Sequence, residues 1–459
     1  MKHLGQMLLR KEAFSEIVIG NTAVVRAMME SGVASVTAYP GSPTPEIADA
    51  IGAIPSELRP FRFEFSTNEK VALEVAFGSA LTGRLSVVFF KSVGLNVAAD
   101  SFVQLPLLDI SGGLVIILGD DPGANSSQNE QDNRHYALMS YMPVLEPASA
   151  QEAYEMFKKA AHLASRYHTA VILRMTTHVC HAKEKVAFSA LPHAAPPTEW
   201  GFHPERENYI PLAASVFPLK RRALERLSAI ENDAEISGLT FVFGTGSRRG
   251  IITAGTAYLS LLDVLETVDS GTMQREKKLP DVLKLGMVNP LPRKQVLDFL
   301  RTHDEVKILE ELDPVLELEI KALAYDEKLS VRIIGKRNID ERMGEYVPAK
   351  VWNSIADTWP DLFNTSRPAP LPAVTVPRPP QMCPGCGHRC LGCQSEWSPV
   401  RSQAGRPDRS RWYHPTRRQD NQGNQALHPA ANRPALAQSE PGLRPQSNHR
   451  PPPAGRCWA

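Results

Sequence analysis

The first group in this sequence placed to move a proton is a carboxylate at the head of a helix. Glu69, in Ser66-Thr67-Asn68-Glu69-Lys70, follows a short strand pattern and opens the helical run from Val71 to Gly83. A carboxylate there also complements the positive end of the helix dipole, so position alone leaves a catalytic and a structural role both open. Three further stretches set small and polar residues where strands end. Tyr39-Pro40-Gly41-Ser42-Pro43 is a turn carrying a hydroxyl, and Lys91-Ser92-Val93-Gly94-Leu95-Asn96 is a second polar turn. Gly119-Asp120-Asp121-Pro122-Gly123 leads into the dense polar loop Ser126 to Arg134, which holds Asn129. Ligands bind at strand ends of open α/β sheets, although ordinary turns and a solvated crossover use the same residue types. Near the C-terminus, Cys383, Cys386, Cys390 and Cys393 make two C-x2-C pairs. That is the donor set of a zinc knuckle, with few residues between the pairs for a tetrahedral site. Glu310 and Glu311 are paired carboxylates, read as surface charges at a strand end.

Positioning these groups requires a regular scaffold, and the hydrophobic pattern supplies one. Helices are predicted at Asn21–Glu30, Asn68–Leu81 and Gln151–Tyr167, and another begins at Thr44, with Thr44 as its cap and Pro45 in its first turn. Short apolar strands are predicted at Val33–Tyr39, Arg62–Ser66, Leu85–Phe90, Gly113–Leu118 and Ala170–Met175. Such alternation argues for a doubly wound parallel sheet covered on both faces, an α/β domain over residues 1–183. Residues 184–237 are a proline-rich linker with a charged surface helix, Leu219–Ile230. A second α/β domain covers 238–365. It has strands at Thr240–Phe243, Val282–Leu285, Val306–Glu310 and Val331–Ile334, helices at Arg293–Arg301 and Val315–Tyr325, and Thr253–Ala257 running into a further helix.

The Glu69 stretch resembles, position for position, the glutamate helix in the pyrimidine-binding domain of thiamine-diphosphate enzymes. In that superfamily this carboxyl hydrogen-bonds a ring nitrogen of the aminopyrimidine, which lets the ring's own imino group take the thiazolium proton. Ala38 to Pro45 resembles the Tyr-Pro-x-(Ser/Thr)-Pro turn of 2-oxoacid:ferredoxin oxidoreductases, whose hydroxyl faces the substrate carboxylate; the matching residue is Ser42. The loops at 91–100 and 119–134 look like those of the indolepyruvate ferredoxin oxidoreductases, large-subunit type. The resemblance makes Glu69 the catalytic residue and Pro40, Gly41, Ser42, Ser92, Gly94, Asn96, Asn129 and Arg134 the substrate- and cofactor-binding residues. The second domain resembles the transketolase-C-terminal-like domain of the same enzymes, with a role in packing and subunit contact. Gly119-Asp120-Asp121 is not read as their magnesium motif, since it falls in the pyrimidine-domain pattern.

Cys383-Pro384-Gly385-Cys386-Gly387-His388-Arg389 resembles the opening of the family's diphosphate-binding domain, after a proline-rich linker at 366–380. Residues 381–393 read as a remnant of that opening, and Cys383 and Cys386 are the weak metal candidates. From 394 to 459 there are ten Arg, ten Pro and no Lys, Ile, Met or Phe, which predicts a disordered tail, read as an out-of-frame translation. The chain is thus expected to stop before the magnesium and diphosphate ligands and before the [4Fe-4S] ligands of the family. What the resemblance implies is oxidative decarboxylation of an arylpyruvate such as indolepyruvate, with thiamine diphosphate, magnesium, coenzyme A, ferredoxin and a smaller beta subunit. A non-catalytic assembly or binding fragment, and a non-oxidative thiamine-diphosphate lyase, are the competing readings. A formal net charge of +1 over 459 residues gives no electrostatic case for nucleic acid or membrane, and the sequence is read as cytoplasmic. Six cysteines, one of them before residue 380, exclude a disulfide scaffold there.

Overall fold

The computed structural model describes residues 2–192, 201–202, 206–233, 238–271 and 279–363. The cysteine cluster, the 366–380 linker, the 381–393 segment and the tail lie outside the described residues. Fourteen strands run through this region: β1 (Phe14–Ile19), β2 (Ser35–Ala38), β3 (Arg62–Phe65), β4 (Ser86–Lys91), β5 (Leu114–Asp120), β6 (Val144–Leu145), β7 (Ala170–Thr176), β8 (Lys183–Phe188), β9 (Phe241–Phe243), β10 (Arg249–Ala254), β11 (Asp281–Leu285), β12 (Met287–Asn289), β13 (Glu305–Leu309) and β14 (Arg332–Ile334). The helices are α1 (Lys2–Leu8), α2 (Gly20–Glu30), α3 (Pro45–Gly52), α4 (Glu69–Ala80), α5 (Gly94–Phe102), α6 (Arg134–Ser140), α7 (Ala150–Tyr167), α8 (Thr177–His181), α9 (Arg206–Tyr209), α10 (Val216–Glu231), α11 (Thr256–Gly271), α12 (Arg293–Thr302), α13 (Val315–Asp326) and α14 (Pro348–Thr358).

The first sheet has the order β12-β6-β7-β5-β4-β2-β3, parallel except for β12, which lies antiparallel on β6. β4 and β5 are buried at every residue, which explains their unbroken apolar runs. Their side chains divide by parity. Val87, Phe89, Val115 and Ile117 join the core beneath α2 and α7, whereas Val88, Phe90, Ile116 and Leu118 join the core beneath α4 and α5. The second of these cores continues without a break into Ile252 and Leu283 of the second sheet and into Val296 and Ile320 of α12 and α13. That sheet runs β14-β13-β10-β11-β9, with β9 antiparallel to β11.

Several local expectations are corrected. Thr44 does not cap α3 with its side chain; its Oγ1 donates to the Gly41 carbonyl at 3.0 Å. The run expected to pass from Thr253 into a helix hides the central strand β10, which starts at Arg249. Two arginines and a glycine obscure its beginning, yet Gly250 sits under the Phe299 ring, where a Cβ would come within 2.6 Å. The linker expected from 184 opens instead with β8, paired antiparallel to β1 from Phe14↔Phe188 to Ile19↔Lys183. Met287–Asn289, expected in the second domain, pairs with Val144 and Leu145 of the first sheet. Among the described residues, no helix is long and apolar enough to cross a membrane.

Candidate functional site

The chain passes from β2 to β3 on one side and then returns through α4 to β4 on the other. Between the C-terminal ends of β2 and β4 two connections therefore leave in opposite directions and open a crevice, the place where open α/β sheets bind ligands. The turn after β2 brings Pro40, Gly41 and Ser42 here, and the turn after β4 brings Ser92 and Gly94. The two turns touch. A Cβ on Gly41 would meet the Lys91 stem at 2.7 Å, so glycine is what lets them close. Lys91 Nζ donates to the Ser126 carbonyl at 3.1 Å, and Ser92 N to Gly119 O at 2.7 Å, tying in the loop after β5.

Glu69 enters from β3. Asn68 caps α4, its side chain accepting from Val71 N at 2.9 Å, which fixes Glu69 as the first helical residue. The side chain does not project into solvent, as a dipole partner at the surface would. Glu69 is 7% exposed, and its carboxyl lies against Gly94, where a Cβ would come within 2.5 Å of Oε1 and 2.9 Å of Cδ. Any other residue at 94 would push the carboxyl away.

Ser92, Asn96 and Asn129 are joined through Gln131. Its amide donates to Ser92 O at 3.2 Å and Asn96 Oδ1 at 3.0 Å, and its carbonyl accepts from Asn96 at 2.9 Å and Asn129 at 3.1 Å. Beneath this rim, Asn133 Nδ2 donates to Ser92 Oγ at 3.1 Å and to Asp120 Oδ1. Burial pushes the Asp120 carboxyl up against the pull of Arg174, whose Nε donates to it at 2.5 Å. Sequence reasoning did not pick out Asp120 or Asn133 as site residues; their position in a polar strand-end loop was the only available signal.

Arg134 is placed elsewhere. Its guanidinium, 3% exposed, grips Asp132 (2.9 and 2.6 Å) and reaches Glu310 Oε2 at 2.7 Å and the Glu311 carbonyl at 2.7 Å. All its nitrogens are committed to the junction of the two sheets. The reading of Glu310 and Glu311 as surface charges is corrected by the same contacts, since they are 2% and 7% exposed. Glu310 accepts from Leu316 N and Glu317 N at 2.9 Å each, at the start of α13, and so satisfies helix-end donors as well as Arg134.

A family described as "Pyruvate flavodoxin/ferredoxin oxidoreductase, thiamine diP-bdg" matches residues 26–215, which hold the whole crevice. The family "Indolepyruvate oxidoreductase domain" matches 240–353, the second sheet. Indolepyruvate oxidoreductase subunit IorA of Methanothermobacter thermautotrophicus is 36% identical over 392 residues, covering 84% of this chain and 61% of that protein. This chain is similar to the indolepyruvate oxidoreductase family along both of its sheets. The IorA protein of Archaeoglobus fulgidus is 35% identical over 398 residues, covering 84% of this chain and 61% of its own length. The chain thus spans about 60% of the length of these relatives. A solved 2-oxoglutarate:ferredoxin oxidoreductase from Magnetococcus marinus superposes with a TM-score of 0.57 at 16% identity, over 76% of this chain and 65% of that one. At that identity the likeness is one of fold, and it places this indolepyruvate oxidoreductase relative in the same α/β architecture.

Proposed function

We propose that this chain is the pyrimidine-binding part of a thiamine-diphosphate-dependent large subunit that oxidatively decarboxylates arylpyruvates such as indolepyruvate. Electrons would pass to ferredoxin and the acyl group to coenzyme A, in company with a smaller second subunit. The observation that carries this reading is Glu69: a buried carboxyl at a helix head, seated on a glycine, beside the crevice between β2 and β4. This seat fits an aminopyrimidine, which needs a carboxyl shielded from water and a flat approach past a residue without a side chain.

When bound, thiamine diphosphate supplies the electron sink that decarboxylation of a 2-oxoacid requires. The chain's own residues have the remaining tasks. Glu69 holds a proton at the aminopyrimidine ring nitrogen, and its burial keeps water from competing for that hydrogen bond. Gly94 keeps the seat open. The Ser42 hydroxyl orients the substrate carboxylate, with Pro40 and Gly41 shaping its turn. Ser92, Asn96 and Asn129 form the polar rim held together by Gln131. Arg134 acts from below by anchoring the loop that carries this rim. Magnesium, the diphosphate and [4Fe-4S] clusters are assigned to no described residue of this chain.

The test is exchange of the thiazolium C2 proton for deuterium, measured on the assembled oxidoreductase with wild-type chain and with Glu69→Gln. The variant is expected to slow exchange by about 10²-fold or more while its circular dichroism is unchanged. Exchange at the wild-type rate removes Glu69 from this role.

A further inference from the structure

The second sheet has a crossover of its own. From β10 the chain goes through α11 to β11 on one side, then returns through α12 to β13 on the other side of β10. The C-terminal ends of β10 and β13 are adjacent, with Thr253 opposite Leu309. A small, half-open cleft of about 160 Å³ lies just beyond them. One wall is a face of α11 that includes Thr256, Ser260 and Asp263; the floor is Glu311, two residues after β13, the far wall is Glu345 and Tyr346, and His178 of α8 also lines the cleft. Leu259, Val347 and Pro348 add an apolar side.

The polar groups of this cleft are built in and incompletely matched. Glu311 and Thr256 are each 7% exposed. Glu311 Oε1 accepts from Tyr346 N at 3.0 Å. The Thr256 hydroxyl lies near enough to the Glu311 carboxyl to favour its charge, yet Oγ1 has no well-aligned hydrogen bond among the described residues. Among the described residues, the Glu345 carboxyl holds one long contact, accepting from Asn125 Nδ2 at 3.4 Å. Burial raises the carboxyls of Glu311 and Glu345. The proximity of Glu311 and Asp121 raises Glu345 further, whereas Arg174 partly relieves Glu311. A crossover cleft with acidic walls, a buried hydroxyl short of a partner and one apolar side is complementary to a small organic cation.

We propose that this cleft is a second ligand site, which takes a primary ammonium between Glu311 and Glu345 and lays the apolar body of the same molecule against Leu259, Val347 and Pro348. The site is not isolated from the first. Asn125, which touches Glu345, belongs to the loop after β5, and Glu130 of that loop accepts from Gly344 N at 2.7 Å. Occupancy at Glu345 therefore bears on the loop that carries Asn129 and Gln131.

Calorimetric titration of the full chain with phenethylammonium chloride near neutral pH tests the proposal without thiamine diphosphate, so its outcome is separate from that of the proposed catalytic role. Phenylacetate and 2-phenylethanol are the anionic and neutral counterparts of the same shape. The ammonium is expected to bind at least about tenfold more tightly than either, and Glu345→Gln to weaken it about tenfold. Glu311→Gln should act in the same direction; because that carboxyl is buried and its loss could disturb folding, half-buried Glu345 is the deciding variant. No heat with the ammonium, equal binding of phenylacetate or 2-phenylethanol, or unchanged affinity in Glu345→Gln overturns the proposal.

Discussion

At the scale of single residues, the contact between Glu69 and Gly94 sets the tolerance of the site. A methyl at position 94 would stand 2.5 Å from Glu69 Oε1, well inside van der Waals contact, so the carboxyl must rotate off its seat or α5 must shift. Gly94→Ala is expected to cost about 1–3 kcal/mol of stability by overpacking and to lower thiamine-dependent proton exchange in the direction expected for Glu69→Gln. Denaturant titration and the exchange measurement check the two parts separately. Both residues were legible in the sequence because each belongs to a local pattern: a capped helix start for one, a glycine after a strand for the other. Arg134 was legible as a special residue but not in its setting. Its partner Glu310 lies 176 positions away, and nothing within a window of sequence says that a polar loop will meet a buried carboxylate from another sheet.

At the scale of elements, the helices α10, α12 and α13 meet around Glu319, whose carboxyl is pushed up to about 7 by burial, with Arg293 opposing and Glu231 adding to the rise. A carboxyl raised above its unfolded value binds a proton more readily in the folded chain. Its contribution is therefore fully present below the ordinary range near 4.5 and is lost as pH rises through about 7. Urea unfolding at about pH 5 and about pH 8 should show the wild type losing roughly 1–3 kcal/mol across this window and Glu319→Gln losing less. Equal losses in both proteins would show that Glu319 is not the group responsible. Among the elements, long amphipathic helices such as α7 and fully apolar strands such as β4 were plain in the sequence. The strand β10 was not, because Arg248-Arg249-Gly250 at its start looks like a turn until Phe299 is seen to cover the glycine. Helix α14 also escaped notice. Its buried face, Val351, Trp352 and Ile355, packs in the core that includes Leu261 and Val264 of α11, a partner distant in sequence.

At the scale of the whole molecule, two sheets are joined by buried charge. Arg134 and Arg174 stand among Asp120, Asp132, Glu146 and Glu310, all 9% exposed or less. Arg134 holds the Asp132 carboxyl well below the usual carboxylate range, and burial pushes Glu310 up. Arg134→Met strands two buried carboxylates and is expected to destabilise the fold by about 3–5 kcal/mol in guanidinium titration. The Asp132 share of that difference is present above the ordinary aspartate range and is lost as pH falls, so the gap between wild type and variant should narrow in acid. A gap that stays constant into acid would assign the loss to packing instead.

The strand β12 has a further consequence for how such a chain can be divided. Because Met287 and Asn289 complete the edge of a sheet begun at Ser35, and Asn289 Nδ2 is spent on the Met142 carbonyl at 2.6 Å, the two halves do not behave as separable modules. A gene split between residues 189 and 240 would yield a first half with a bare β6 edge and a second half with a strand that has nowhere to pair. Each would be drawn to the other or to aggregation, so recombination among relatives should exchange these halves together or not at all.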